Sequence, residues 1–390
     1  MKRLSIKLRL LFLVIIPIIA IVLLSVSMVV DTIKDKSILE TTKNRVLETE
    51  ALAKVVHCMQ VERGLSVGFS ASGGKNNGDS LLSLRKKVDI ATQELKKVYE
   101  LTNGDDDKIL NSFINLTQQR AAIDSNSMES AEVEAYFTNI IITLVDATTF
   151  APSLIESKEI RNTIQAYTHM ASAKESMGQI RANLNVAFSR DSFSEKDYFA
   201  FLGRVNTYDV NIRKFTNLTS QELKKFYEDR YKGEVVNKMT SMMNIAKDKG
   251  MQGGFGIDSS VWFSSVTSSI NLLRDVELEL FKVTNSTIED KLEKATSNIV
   301  KLTSAVIIGI VVFTLFLLYF IKISISNPLE KFETTLLDIT KNNNLTIQAD
   351  EDAPLELSQM ASGFNSLIST LRDLIETSKQ SSSENASISH

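Results

Sequence analysis

Two apolar segments, Leu10–Val30 and Leu302–Ile321, constrain this 390-residue chain more than any other feature. Each has the length a helix needs to cross a bilayer, roughly 20 residues. They divide the sequence into an N-terminal tail (1–9), a first span (10–30), a large middle block (31–301), a second span (302–321) and a C-terminal segment (322–390). Lys2, Arg3, Lys7 and Arg9 precede the first span with no acidic residue among them, Asp31 follows it, and Lys322 follows the second span. Basic residues collect on the cytoplasmic flank of membrane spans. The sequence therefore predicts a two-pass protein of the cell inner (cytoplasmic) membrane, with both termini cytoplasmic and the middle block periplasmic or extracellular. The first segment exceeds the usual apolar stretch of a signal peptide, and Ser25–Val30 is a poor cleavage site, so an uncleaved anchor is expected.

The middle block of about 270 residues is long enough to bury one large core or two smaller ones. The whole chain has four prolines and no long Gly- or Pro-rich linker. Its richness in Leu, Ala, Ser, Lys and Glu favours helices. A net charge of only −3 gives no reason to expect a nucleic-acid partner. The single cysteine, Cys58, excludes an internal disulfide and sits in the mostly apolar run 53–59, where a small buried side chain is the expected role.

Apolar spacing predicts helices over 38–69, 80–101, 108–123, 129–148 and 157–189, less regular ones over 193–207 and 219–247, and a last long one over 259–301 that feeds the second span. Gly73, Gly74 and Gly78 break the first pair, residues 103–107 form a turn, and 250–258 is a Gly-rich loop. No stretch alternates with period two for long, so the fold class is all-α, and antiparallel helices on short loops pack as bundles.

Beyond the second span, Ile325, Leu329, Phe332, Leu336 and Ile339 repeat at intervals of four and three. After a polar connector (340–352), Leu357, Met360, Phe364, Leu367, Leu371 and Leu374 do the same. These are two heptad seams. Pro328 falls near the start of the first, where its missing N–H costs little. One short helix pair cannot bury both seams, whereas a homodimer can bury them in a parallel four-helix bundle.

Residues 322–376 resemble a HAMP domain, through Pro328, the two heptad helices and the Glu356…Phe364-Asn365 pattern. The middle block resembles the nitrate- and nitrite-sensing (NIT) domain. The stretches that carry this resemblance are Gln60-Val61-Glu62-Arg63-Gly64-Leu65-Ser66-Val67-Gly68-Phe69, Lys174-Glu175-Ser176-Met177-Gly178-Gln179-Ile180-Arg181-Ala182, and Trp262-Phe263 through Thr267, Ile270 and Asp275-Val276-Glu277. The resemblance implies a sensor of two stacked four-helix bundles that binds nitrate or nitrite. Family members often carry a basic residue where this chain has Ser269. Residues 377–390 resemble the opening of the signalling coiled coil of methyl-accepting chemotaxis proteins, so a truncated chemoreceptor is expected. A chemotaxis kinase and adaptor are expected partners only where that signalling domain is present.

Nitrate is planar, singly charged and weakly hydrated, and the arginine fork matches it in all three respects. Arg63 and Arg181 are the expected ligand-binding residues. Gly64, Ser66 and Gly68 follow the first, and Gly178 and Ala182 flank the second. Glycine inside a helix costs roughly 1 kcal/mol relative to alanine, a cost offset where helices approach closely or a ligand needs room. Ser66 and Gln179 are candidate additional donors. The alternative for Arg63 is an ion pair with Glu62 or Glu175 and no ligand. Arg120 could line a pocket, although a solvated helix face suits it better, and Trp262 and Phe263 are expected core anchors.

Nothing in the sequence supports an enzyme. His57, His169 and His390 do not join Cys58 in a metal-ligand pattern. Gly73-Gly74 and Gly253-Gly254 lack the context of a phosphate loop, and Asp105–Asp107 lacks the remaining ligands of a calcium site. Neither a metal nor a cofactor is implied. The expected function is a dimeric transmembrane receptor that binds nitrate or nitrite outside and signals through HAMP. The rivals are the sensor portion of a histidine kinase or diguanylate cyclase, and an outer module that binds a partner protein without an anion.

Overall fold

The structure, a computed structural model, describes residues 6–75, 78–104, 107–150 and 155–388. Lys2, Arg3, His390 and most of the acidic turn at 105–107 lie outside them. Twelve α-helices make up the described residues, with no strand among them. They are α1 (Ile6–Ala71), α2 (Gly78–Thr102), α3 (Asp107–Asn111), α4 (Leu116–Asp124), α5 (Ser130–Phe150), α6 (Lys158–Arg190), α7 (Glu195–Leu218), α8 (Gln221–Arg230), α9 (Glu234–Lys249), α10 (Ser259–Ile321), α11 (Asn327–Asn342) and α12 (Leu355–Ile388). The all-α class follows the periodicity, and two apolar stretches of spanning length fall within α1 and α10.

The chain divides into two compact units, one of residues 33–297 and one that joins the two apolar stretches to residues 322–390. In the larger unit two apolar cores form. The first gathers Val56 and Met59 of α1, Leu95 of α2, Phe137 of α5, Tyr167 of α6 and Phe281 of α10. The second gathers Met177 and Leu184 of α6, Phe201 of α7, Met242 of α9 and Trp262 of α10. Helices α6 and α10 therefore serve both cores, with a polar layer where one core gives way to the other. The left-handed Asp191 (φ 52°) ends α6 and ties down the Gly-rich loop, its carbonyl accepting from Gly254 N at 2.9 Å and its carboxylate from Gly256 N at 3.1 Å.

Two predicted helices are each broken in two. The 108–123 stretch parts at residues 112–115, where Ile114 is exposed, and 219–247 parts at Gly233, whose φ of 96° no helix accepts. In the smaller unit a π-helical turn, Lys322–Ser326, precedes α11. Pro328 sits at the start of α11 as expected. Phe332 and Phe364 meet edge to face at 5.9 Å. Asn365 clasps the connector, its Oδ1 accepting from Ala349 N at 2.7 Å and its Nδ2 donating to Ala349 O at 2.9 Å.

Candidate functional site

The polar layer is built where α1, α6 and α10 cross. Helical spacing of three and four puts His57, Gln60 and Gly64 on one face of α1, Lys174, Gly178 and Arg181 on one face of α6, and Phe263, Thr267 and Ile270 on one face of α10. All nine line one cleft of about 100 Å³, together with Arg63 and Asn271.

The two arginines enter it over each other's glycines. A Cβ at Gly64 would stand 2.8 Å from Arg181 Nη2, and one at Gly178 would stand 2.9 Å from Arg63 Nη2. The helix-weakening glycines are thus the space in which the guanidinium groups lie.

The two differ in what holds them. Arg63, 4% exposed, is closed on Glu175, with Nη1 to Oε1 at 2.5 Å and Nη2 to Oε2 at 3.1 Å, and it also donates to Thr138 Oγ1 at 2.9 Å. Arg181, 9% exposed, donates to Thr267 Oγ1 at 3.0 Å and lies over the Phe263 ring at 4.7 Å. It has no ion pair among the described residues. Burial, and then the neighbouring charge of Arg63, bring its pKa down to about 10, which leaves it charged at neutral pH. Trp262 fixes the local backbone, donating from Nε1 to Arg181 O at 3.0 Å.

Beside them Lys174, also buried, pairs with Glu277 Oε2 at 2.5 Å, and Arg274 donates to the same oxygen at 3.1 Å. Burial pushes the Glu277 carboxyl up, but the two cations outweigh it and hold it below the usual carboxylate range. The same burial and the same two cations drive His57 down to about 3, so it lines the cleft as a neutral imidazole. Three cations border the cleft, Arg63, Lys174 and Arg181, and only the first two have a carboxylate.

Of the residues singled out from the sequence, Arg63 and Arg181 are brought together at the cleft. Gln179 and Ser66 do not line it. Gln179 Nε2 donates to Glu175 Oε1 at 2.9 Å, and Ser66 is fully buried with its hydroxyl unpartnered. Ser269 is buried and bonds back to Ser265 O. Arg120 is neither on a solvated face nor at the cleft. It is buried and closes a fork on the fully buried Glu62, with Nε to Oε1 and Nη2 to Oε2 both at 2.7 Å. Glu62 therefore faces away from Arg63. Trp262 is a core anchor, whereas Phe263 is half-buried and carries Arg181. Lys174, His57 and Thr267 were not singled out as site residues, yet each stands one helical turn from one that lines the cleft.

Among solved structures, that of the NasR transcription antiterminator is similar in fold over 88% of this chain and 96% of that one, with a TM-score of 0.61 and 18% sequence identity. No curated protein matches the sequence significantly. Residues 54–284, which contain all of the cleft's residues, match the nitrate and nitrite sensing family, NIT. The chain belongs to that family.

Proposed function

We propose that this protein is a transmembrane receptor in which nitrate or nitrite binds between Arg63 and Arg181. The observation that carries this reading is Arg181. Arg181 is a buried cation with no directly paired carboxylate, next to a second cation and only partly offset by the charge of Glu175, and a small monoanion in the cleft restores the balance. The forked N–H groups of both arginines suit a planar oxyanion, and Phe263 covers the back of Arg181 without competing for its donors.

Binding outside the membrane shifts a two-state equilibrium by the ligand's differential affinity for the two states. Helix α10 includes both cleft residues and the second apolar stretch. It suits a role in carrying the change to α11 and α12, which work as a HAMP pair in a homodimer. The output is chemotactic. A histidine kinase or diguanylate cyclase downstream is the second reading, since the helix pair serves each of these outputs.

The test is calorimetry on the purified full chain, titrated with nitrate and nitrite and with chloride as control. Saturable binding by the oxyanions is expected, weakened about tenfold or more in Arg181→Ala and in Arg63→Ala, because hydrogen bonds to charged groups contribute about 1.5–3 kcal/mol each. Unchanged affinity in both variants would remove the anion from this cleft.

A further inference from the structure

Glu175 is a carboxylate bound as a planar oxyanion would be bound. Its two oxygens accept four hydrogen bonds: Oε1 from Arg63 Nη1 (2.5 Å) and Gln179 Nε2 (2.9 Å), Oε2 from Arg63 Nη2 (3.1 Å) and Gln60 Nε2 (2.9 Å). The group is 5% exposed and sits on α6, six residues before Arg181. It is flat, singly charged and bidentate on an arginine fork, which describes the ligand class of the cleft as well. Glu175 takes the Nη1–Nη2 edge of the Arg63 fork, and the other hydrogen of Nη1 goes to Thr138 Oγ1.

We infer that Glu175 is a tethered competitor of the anion, so that it sets the affinity of the cleft and couples occupancy to the α1–α6 contact. With the fork closed on Glu175, α1 and α6 are pinned together and Arg63 is neutralised. An anion that bridges Arg63 and Arg181 through the Nη1–Nη2 edge of Arg63 must displace Glu175 from it. The pin between the helices is then exchanged for a bridge through the ligand. The apparent dissociation constant is the intrinsic one divided by the fraction of time the fork is free. If Glu175 holds the fork for about 90–99% of that time, its removal tightens binding about 10- to 100-fold.

The inference rests on the anion reading above and gives Gln179 a role of opposite sign to that of a ligand donor. Gln179 is half-buried and holds Glu175 in place, so Gln179→Ala frees the competitor and tightens binding, whereas loss of a direct donor weakens it.

The experiment is nitrate titration of the full chain, wild type against Glu175→Gln and Gln179→Ala, with circular dichroism to check helicity. Glu175→Gln keeps the shape and removes the charge. The expected result is a dissociation constant lower by about tenfold or more in Glu175→Gln and lower by a few-fold in Gln179→Ala. Detectable binding in Glu175→Gln alone supports the inference equally. Wild-type binding that is unchanged or weakened in both variants overturns it and leaves the anion site standing. No binding by any of the three, all helical, overturns the anion site and the inference with it. Should Glu175→Gln fail to fold, Gln179→Ala decides by the sign of its effect.

Discussion

Gly64 shows how much one missing methyl group does in this protein. An alanine there gains roughly 1 kcal/mol of helix propensity, but its Cβ would stand 2.8 Å from Arg181 Nη2. The guanidinium is the far end of a flexible side chain, so it moves and the helices do not. Gly64→Ala should therefore melt within a few degrees of wild type while nitrate affinity falls about tenfold, with stability and binding changing independently. A melting point lowered by 10 °C or more would instead mean that the glycine serves helix packing. The two arginines stand out in the sequence through the family motifs that carry them, with the neighbouring glycines, which a helix otherwise avoids, as a supporting sign. The partners were only partly legible. Glu175 and Glu62 compete on equal terms for Arg63 in the sequence. Only the folded chain shows Glu62 turned to Arg120 and Glu175 to Arg63.

Helices were easier to place than their breaks. The long amphipathic repeats of α2, α5 and α6 appear within a few residues of their observed ends. The interruptions at 112–115 and at Gly233 were missed because each lies between two stretches of good helical spacing, and one turn of irregular backbone leaves the apolar period almost undisturbed. Where α1, α6 and α10 cross, the polar layer has a titration signature. His57 of α1 faces Lys174 of α6 and Arg274 and Glu277 of α10, and its folded pKa of about 3 lies below the ordinary 6.5. The unfolded chain thus takes up the proton first as the pH falls. Stability from this group is complete above pH 6.5 and is lost on going down toward pH 3, with a slope of up to about 1.4 kcal/mol per pH unit. Protonation of Glu277, depressed by its two cations, adds a loss of the same sign at the acid end of that window. Thermal melts of the full chain between pH 7.5 and 5 should show this decline, and His57→Gln should flatten it. A pH-independent wild-type melting point over that range would show that the imidazole is solvated.

At the scale of the whole molecule, the family membership was legible in three short motifs, and the structure shows that they converge on one cleft from three helices. In the C-terminal seam a single chain leaves part of the expected heptad uncovered. Ala361, Phe364 and Ile368 of α12 are buried or half-buried in the smaller unit, whereas Met360, Leu367, Leu371 and Leu374 of the predicted heptad are exposed. One chain thus uses one face of α12 and leaves the adjacent apolar stripe uncovered, as a two-helix module does when its other half comes from a second copy. The full chain in detergent is therefore expected to have twice its 43.5 kDa protein mass by analytical ultracentrifugation. Leu367→Glu with Leu371→Glu places charges on that stripe, far in sequence from Arg63 and Arg181. The double variant should shift the equilibrium toward monomer while each chain still takes up one nitrate with wild-type affinity. If the pair of substitutions leaves the dimer intact, the stripe is not the dimer contact. If it abolishes nitrate binding along with the dimer, the cleft is complete only in the assembled pair.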